Sequence, residues 1–157
     1  MKEKILKIQY LNNYRWKEMK YSMPGDACFD ARAAIYQPLE IKAISKFKIG
    51  MVHRYMIPLG FKVEIPDGYE LQIRMRSGLA RDYGLIMSNG IGTIDRGYRG
   101  EVKALITSLG NRNFIINPGD RIVQCKIAIV PKFKLVTVNE LSSTERNEGG
   151  FGSTGHK

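Results

Sequence analysis

Residues 89–100 bring together an amide, a carboxylate, a phenol and four glycines, in the order Asn89-Gly-Ile-Gly-Thr-Ile-Asp95-Arg-Gly-Tyr98-Arg-Gly100. Glycines permit tight turns and let a backbone approach a ligand closely. A hairpin of this kind fixes the directions of Asp95 and Tyr98, so the run predicts a base-binding hairpin in which Asp95 orients a water molecule. The alternative is an Asp that only stabilises a turn, which is the commoner role of a single Asp.

Arg76-Ser77-Gly78 supplies a second group of donors, because it follows an alternating strand and opens a short predicted helix. Ser is a common N-cap residue, and the first N–H groups of a helix carry partial positive charge. A guanidinium, a hydroxyl and free amides that converge there would suit an anion. Helix capping by Ser77, with Arg76 in solvent, is the alternative.

The last twelve residues, RNEGGFGSTGHK, place Phe151 among glycines and near the hydroxyls of Ser153 and Thr154. Ordering a Gly-rich segment costs much backbone entropy, so we expect the tail to be free when no ligand is bound. A solvated terminus is the simplest interpretation, although an exposed Phe and two unshielded hydroxyls are unusual in one.

Histidine and cysteine chemistry is not indicated by the sequence. His53 and His156 are the only histidines, and neither has a neighbour at metal-ligand spacing or belongs to a Ser–His–Asp set. Cys28 and Cys125 predict two buried thiols in a reducing compartment, with a single disulfide as the alternative.

The elements that must position these groups are β-strands, because apolar and polar residues alternate along most of the chain. In the strand predicted at 121–130, alternate side chains are expected to share one face: Arg121, Val123, Cys125, Ile127 and Ile129. All predicted strands lie near residues 3–10, 27–34, 39–49, 61–65, 69–75, 101–108, 112–116, 121–130 and 132–138.

Turn residues connect these strands. Pro66-Asp67-Gly68 predicts that strands 61–65 and 69–75 pair as a hairpin. Only residues 77–82 have a helical pattern. Many short strands with regular turns predict a closed or two-sheet β architecture such as a jelly roll.

The 157 residues carry a formal net charge of +10, with 43% hydrophobic residues, a pI near 9.7 and a mean hydropathy of −0.26. The length, hydrophobic fraction and hydropathy are typical of one globular domain, and no apolar run is long enough to span a membrane. The first residues lack the pattern of a signal peptide, so we expect a cytoplasmic protein. The positive charge predicts a polyanionic partner, either nucleic acid or a phosphorylated ligand, or else a solvated basic surface.

Five segments together resemble the five motifs of the trimeric dUTP pyrophosphatase (dUTPase) family, in the same order. They are Pro24–Ala34, Arg76–Ala80, Asn89–Gly100, Pro118–Gln124 and Arg146–Gly155. The resemblance implies an all-β, jelly-roll-like β-barrel of short strands with one short helix. It also implies a homotrimer with active sites at the subunit interfaces, in which residues 1–145 form the domain and residues 146–157 a flexible arm that closes over bound nucleotide.

The activity that the resemblance implies is hydrolysis of dUTP to dUMP and pyrophosphate, by attack of water on the α-phosphorus. Such an enzyme limits uracil in DNA and supplies dUMP for thymidylate synthesis, and it requires neither nucleic acid nor a membrane. Asp95 matches the family's general base, and Asp30 matches the carboxylate that holds Mg²⁺ through water.

The same matching assigns substrate contacts along the chain. Phosphates would be held by Arg76, Ser77, Gly78 and Gln124, uracil and deoxyribose would be read by Asn89, Thr93, Ile94 and Tyr98, and Lys103 would make a further contact. In the arm, Arg146, Ser153 and Thr154 would grip the γ-phosphate, Phe151 would stack on uracil, and Gly152 would also contact substrate.

Three features depart from the family pattern. Cys28-Phe29-Asp30-Ala31 stands where Gly-Tyr-Asp-Leu is usual, Asn147 stands where Gly is usual, and residues 41–57 are longer than the typical loop and strand. Two rival interpretations remain. One is dCTP deaminase, which has a Glu base and no Phe-bearing tail, and the other is a nucleotide sensor or regulatory binder that uses the basic surface. Asp95 and Phe151 argue against the deaminase, and Asp95, Arg76 and the complete tail argue against a sensor without activity, while an additional regulatory role stays open.

Overall fold

The computed structural model describes residues 4–44 and 52–149. Within these ranges the chain forms eleven strands and one helix. The strands are β1 Lys7–Tyr10, β2 Phe29–Arg32, β3 Leu39–Ile41, β4 Tyr55–Pro58, β5 Phe61–Glu64, β6 Tyr69–Met75, β7 Leu85–Met87, β8 Gly92–Ile94, β9 Lys103–Ser108, β10 Phe114–Ile116 and β11 Arg121–Ile129, and the helix is α1 Ser77–Tyr83.

The strands pair antiparallel in four sheets. The largest has the order β2-β11-β6-β8, and a second has the order β4-β9-β7. Two-stranded sheets are formed by β1 with β5 and by β10 with β3. The prediction of an all-β fold with one short helix is confirmed, although the strands of the described chain do not close into a continuous barrel.

The core follows from the period-two pattern of the longest strands. In β6, Leu71 and Ile73 are fully buried, whereas Gln72 and Arg74, which follow them in turn, are only partly buried. Val123 and Cys125 of β11 lie fully buried on the same side. Because β11 is hydrogen-bonded to both β2 and β6, it fixes the positions of the polar side chains on the opposite face of this sheet.

The predicted hairpin between 61–65 and 69–75 is wrong. β5 pairs with β1, where Phe61 lies opposite Tyr10, and β6 pairs with β11 and β8. The turn does form, with Gly68 at φ +80°, but the Gly68 carbonyl accepts from the Val130 amide at 2.8 Å. The backbone groups of β5 and β6 are thus taken by other strands, and the turn carries the chain from one sheet to another.

The strand predicted at 132–138 is also wrong. Residues 131–148 are exposed and contain no strand, and the side chains of Phe133 and Leu135 are 79% and 94% exposed. An isolated strand leaves its backbone groups unpaired, so the alternating pattern alone cannot form one. The strand predicted at 39–49 is confirmed only as Leu39–Ile41, and residues 45–51 lie outside the described ranges.

Helix α1 begins at Ser77, and Arg76 occupies the N-cap with extended backbone (φ −70°, ψ 135°) and no side-chain cap. The prediction that Ser77 is the N-cap is therefore wrong by one residue. The helix ends at Gly84, whose φ of 65° lies in the left-handed region that glycine tolerates. In the part of the chain that the structure describes, no helix is long and apolar enough to cross a membrane.

Candidate active site

Three neighbouring strands bring polar side chains together on the face opposite the core. Gln124 in the middle strand β11 lies opposite Asp30 of β2 and opposite Arg74 of β6. Directly opposed residues have Cβ atoms about 5 Å apart, so these side chains form one row across the sheet. This row joins parts of the first and fourth motif segments.

A bulge in β11 adds Arg121 to this row. The register with β2 shifts between Arg121 and Val123, so Ile122 and Val123 are both fully buried. The shift turns Arg121 towards the polar face, where its Nη1 donates to Asp30 Oδ2 at 3.1 Å. The prediction that Arg121 shares a face with Val123 is therefore wrong. Ile129 at the other end of β11 is also outside the core, since it is 74% exposed.

Asp30 is held between two guanidinium groups. Its side chain is only 14% exposed, and its Oδ1 lies 3.1 Å from Arg76 Nε. This contact is an ion pair without hydrogen-bond geometry, because neither atom has a hydrogen-bond partner among the described residues. Arg76 Nη1 also donates to the Arg121 carbonyl at 3.1 Å. One carboxylate against two arginines leaves net positive charge, which suits a phosphate group.

Ser77 and Gly78 follow Arg76 in the first turn of α1, and both are exposed. No atom lies within 4 Å of the position that a Cβ on Gly78 would take, so space remains beside its backbone. Asp30, Arg76, Ser77, Gly78 and Gln124 therefore lie together in one chain, and we call this group the phosphate cluster.

The predicted base-binding residues lie on and around β8. Thr93 and Ile94 pair with Gln72 and Leu71 of β6, and the exposed Asn89 lies in the turn that precedes β8. After the strand, the Tyr98 amide donates to the carbonyl of the exposed Asp95 at 3.0 Å, which closes a turn.

Tyr98 is held by its contacts with the end of this hairpin. Its hydroxyl donates to the Glu101 carbonyl at 3.0 Å, and its ring lies against Gly100. A Cβ at position 100 would collide with the Tyr98 ring, so glycine is required for this ring position. The Glu101 carboxylate accepts from Asn13 Nδ2 at 3.2 Å and from the Gly60 amide at 3.1 Å, which anchors the hairpin.

Asp95 and Arg76 are far apart within one chain. Ile94 pairs with Leu71, so Asp95 lies beside the start of β6, whereas Arg76 follows its end. Six residues of strand separate position 70 from Arg76, which at about 3.3 Å per residue corresponds to roughly 20 Å. The predicted base and the phosphate cluster therefore do not meet within a single chain.

Lys103 and Arg146 lie apart from the phosphate cluster. Lys103 is exposed at the start of β9, opposite Pro58. Arg146 is exposed and donates through Nε to the Gly149 carbonyl at 2.8 Å. The other predicted arm residues, Phe151, Gly152, Ser153 and Thr154, lie outside the described ranges.

Asn147 stands where the motif usually has glycine, and it adopts the left-handed backbone conformation that glycine tolerates best. Its φ is +40°, and Asn is one of the few other residues that enter this region readily. Its Oδ1 accepts from the Thr144 amide at 2.9 Å, and its own amide donates to Thr144 Oγ1 at 3.0 Å. The departure from the motif thus preserves the turn.

The two cysteines are free, and they differ in burial. Cys125 is buried in the core opposite Phe29, and burial raises the pKa of its thiol. Cys28 precedes Phe29 and is only partly buried, so the prediction of two buried thiols holds for Cys125 alone. No disulfide joins them, as favoured by the sequence.

Sequence reasoning missed Arg74, and Arg121 was placed on the core face. The bulge in β11 could have been inferred from Arg121 itself, because a charged side chain on a predicted core face indicates an irregularity in the strand. Arg74 carried no comparable signal, since it lies at an ordinary polar position of an alternating strand.

The fold is all-β, and a carboxylate flanked by two arginines lies on the same sheet as a glycine-rich hairpin, an arrangement with the donors that a phosphate group requires. The sequence profile of the dUTPase family matches residues 15–155, so the chain belongs to the dUTPase family.

Relatives named deoxyuridine 5′-triphosphate nucleotidohydrolase support the same assignment. The protein from Caulobacter vibrioides is 48% identical over 86% of this chain and 83% of its own length. The protein from Bdellovibrio bacteriovorus is 43% identical over 99% of both chains.

Solved structures show the same fold. The dUTPase of Staphylococcus bacteriophage 80alpha, determined with dUPNHPP, aligns with a TM-score of 0.80 at 24% identity and covers 96% of this chain and 98% of its own. A mutant dUTPase from phage phi11 of S. aureus, described as coordinating a structural Mg(II) ion, aligns with a TM-score of 0.73 at 21% identity, over 88% of this chain and 99% of its own.

Proposed function

We propose that this protein hydrolyses dUTP to dUMP and pyrophosphate, which is the activity of the dUTPase family. The observation that carries the proposal is the phosphate cluster, in which Asp30 lies 3.1 Å from both Arg76 and Arg121, with Gln124 opposite in the sheet. By lowering the dUTP concentration, the enzyme would limit uracil in DNA and supply dUMP for thymidylate synthesis.

The phosphate cluster would bind the triphosphate. The guanidinium of Arg76, the hydroxyl of Ser77 and the amide of Gly78 are donors on one short segment, and Gln124 adds an amide from the sheet. Donors fixed in place before the reaction stabilise the charge that develops on the departing pyrophosphate without having to reorganise.

Asp95 would act as the general base. Its carboxylate would accept a proton from the water that attacks the α-phosphorus, while the bond from that phosphorus to the bridging oxygen breaks and pyrophosphate leaves. Asp95 follows β8 directly, and its carbonyl accepts from the Tyr98 amide, so its backbone is fixed by the hairpin.

The hairpin would also select the nucleoside. Asn89 and the backbone of Thr93 and Ile94 would read the edge of uracil. Tyr98 would lie against the deoxyribose, where its ring leaves no space for a 2′-hydroxyl. Lys103 would make a further contact with the substrate.

Mg²⁺ is the cofactor that we propose. Among the described residues no three His, Cys, Asp or Glu side chains are grouped to hold a metal. Mg²⁺ needs no such group, since it retains water and often uses one or two carboxylates together with substrate phosphates. Asp30 fits this role through water, because its Oδ1 has no hydrogen-bond partner among the described residues. The ion would supply charge neutralisation on the phosphates.

We propose a homotrimer with active sites between subunits. The separation of Asp95 from Arg76 supports this, because the base and the phosphate donors must act on the same triphosphate and roughly 20 Å of strand lies between them within one chain. The exposed apolar side chains of residues 131–149, including Phe133 and Leu135, give the chain a surface suited to another copy. Nucleic acid and membrane are not required for this activity.

We further propose that residues 1–145 form the domain and residues 146–157 an arm that closes over the bound nucleotide. Arg146, Ser153 and Thr154 would bind the γ-phosphate, Gly152 would contact it closely, and Phe151 would stack on uracil. A base–aromatic stack contributes about 1–3 kcal/mol, which helps to offset the ordering of a short Gly-rich segment. The free thiols of Cys28 and Cys125 support a cytoplasmic location.

A substrate panel tests the proposed activity. Release of pyrophosphate and ammonia is measured with Mg²⁺ and dUTP, dCTP, dTTP or UTP. We expect pyrophosphate from dUTP at a kcat/KM about 10⁴-fold or more above the others, because a site that pairs with uracil leaves polar groups unpaired against cytosine. Comparable turnover of dCTP, or release of ammonia, would contradict the proposal.

A further inference from the structure

A polar pocket of about 170 Å³ lies beside Asp30, between the sheet and the irregular segment of residues 11–23. At about 30 Å³ per water, its volume corresponds to five or six water molecules. The pocket is lined by four cationic side chains, Lys17, Lys20, Arg32 and Arg121, and by the carboxylates of Asp30 and Glu18, among others.

The charges of this pocket are not balanced. Asp30 is paired with Arg76 and Arg121, so it does not compensate the charges of Lys17, Lys20 and Arg32. Lys17 and Lys20 have no carboxylate within 4.0 Å in the described ranges. Arg32 donates through Nη1 to the Gly119 carbonyl at 2.7 Å, a bond that leaves its charge uncompensated. Only Glu18 opposes these three cations, so the pocket is suited to an anion with more than one negative charge.

The pocket has a firm wall on the side of the irregular segment. Trp16 packs against Gly119, where a Cβ would collide with the indole. Tyr14 stacks on Tyr10 with ring centroids 4.4 Å apart, and its hydroxyl donates to the Lys17 carbonyl at 2.9 Å. These contacts fix the backbone at Lys17, so the pocket does not depend on long side chains alone.

The lining of the pocket overlaps with the phosphate cluster at Asp30 alone. Arg76, Ser77, Gly78 and Gln124 are absent from the pocket lining, which shares only Asp30 and Arg121 with the ion pairs of the cluster. An anion in the pocket would therefore face the charges of Lys17, Lys20 and Arg32 and would leave the donors of α1 free.

We propose that this pocket is a separate binding site for a small polyphosphate anion, and that pyrophosphate is its ligand. The choice of pyrophosphate rests on the proposed function, since that reaction releases it next to Asp30. Binding there would hold the leaving product after hydrolysis and would make it an inhibitor by a route other than competition for the phosphate cluster.

The test is equilibrium dialysis of radiolabelled pyrophosphate against the full chain, with and without saturating α,β-imido-dUTP and Mg²⁺. We expect binding to persist when the analogue is bound. The double variant Lys17→Gln/Lys20→Gln should bind pyrophosphate at least about tenfold more weakly, since two charge-assisted contacts are lost. Lys17→Arg/Lys20→Arg should retain binding. Lys42→Gln/Lys62→Gln, which removes equal charge outside the pocket, is the matched control.

Two results would overturn the inference. One is displacement of all bound pyrophosphate by the analogue, which would make the pocket part of the nucleotide site. The other is an affinity of the Lys17→Gln/Lys20→Gln variant for pyrophosphate that lies within about twofold of that of the Lys42→Gln/Lys62→Gln control. The proposed function is judged separately, because the Lys17→Gln/Lys20→Gln variant should hydrolyse dUTP at the normal initial rate when no pyrophosphate is added. A protein that never hydrolyses dUTP but shows lysine-dependent binding would contradict only the proposed activity.

Discussion

Asp95 is the residue on which the proposed chemistry depends, and its surroundings explain how it could serve. It is exposed in the described chain, and it lies beyond the last residue of β8, where the backbone is fixed by pairing with β6. A side chain in this position is directed by the backbone and stays open to a neighbouring molecule.

Replacing Asp95 by Asn should abolish turnover while substrate binding stays nearly unchanged, because the amide fills the same space but cannot accept the proton of the attacking water. We expect kcat to fall by at least about 10³-fold, with the affinity for α,β-imido-dUTP within a few-fold of the parent. Single-turnover kinetics and analogue titration measure the two quantities.

Asp67→Asn is the matched control, because Asp67 is an exposed aspartate near the same hairpin, 71% exposed and 3.7 Å from Arg96. It should hydrolyse dUTP normally. If Asp95→Asn keeps kcat within about tenfold of the parent, which is about 1.4 kcal/mol of barrier, then another group is the base.

At the scale of elements, strand β11 organises the candidate site. It pairs with β2 on one edge and β6 on the other, and its bulge delivers Arg121 to Asp30 while Ile122 and Val123 remain in the core. The two faces of the same sheet therefore have different chemistry. The burial of Cys125 on the core face can be tested by comparing its reactivity with that of the partly buried Cys28.

Native protein treated with iodoacetamide should be modified at Cys28 and not at Cys125. Cys125 is fully buried, and burial raises the pKa of its thiol, so the reactive thiolate is scarce at neutral pH and becomes accessible only on unfolding. Peptide mass spectrometry over time should show Cys125 reacting at least about tenfold more slowly.

In denaturant both cysteines should react at similar rates, which controls for peptide recovery. Equal rates in the native protein would contradict the burial of Cys125, and a peptide pair linked by a disulfide would contradict the free state of both thiols.

At the scale of the whole molecule, the decisive feature is the roughly 20 Å of strand between Asp95 and Arg76. This separation is the basis of the proposed assembly, in which Asp95 of one chain and Arg76 of another contribute to one site. The exposed apolar segment that includes Phe133 and Leu135 provides a surface through which such an assembly could form.

Mixing two inactive variants should restore activity. Asp95→Asn and Arg76→Ala chains, unfolded together at equal amounts and refolded, should regain about one quarter of the parent activity, because a random site takes Asp95 and Arg76 from two different chains. The measurement is dUTP hydrolysis per total chain, with native mass spectrometry to verify mixed assemblies.

The control is a mixture of Asp95→Asn with Asp95→Ala chains, which should stay inactive because every site lacks the base. Mixed assemblies of the first pair that show no recovered activity would place both groups in the same chain's site.

Deleting residues 146–157 should leave a folded protein of unchanged oligomeric state, because a Gly-rich terminus contributes little to a β core. Hydrolysis of dUTP should nevertheless fall severely, since the deletion removes Arg146 and the hydroxyls of Ser153 and Thr154. Activity, thermal melting and size measurement are compared on the same preparation.

Phe151→Ala should be milder, since it removes only the proposed stack on uracil. A truncated protein that hydrolyses dUTP at the full-length rate would make the tail a plain solvated terminus.

Local sequence patterns were sufficient to predict many of the strands and the helix of this protein. Alternation in residues 69–75 predicted β6 at its observed bounds, and the helix predicted at 77–82 is observed as Ser77–Tyr83. Strands β4, β7 and β8 were missed because their residues, YMIP, LIM and GTI, do not alternate between apolar and polar types.

The sequence by itself determined the family, the all-β class and the candidate residues, because these depend on residue types and their spacing. Only the tertiary structure decided which strands pair, that β5 and β6 do not, and that Arg121 leaves the core face to meet Asp30. The physical reason is that strand pairing and bulges are settled by competition among partners distant in sequence. The same competition leaves Asp95 and Arg76 at opposite ends of β6, a separation that no local pattern records.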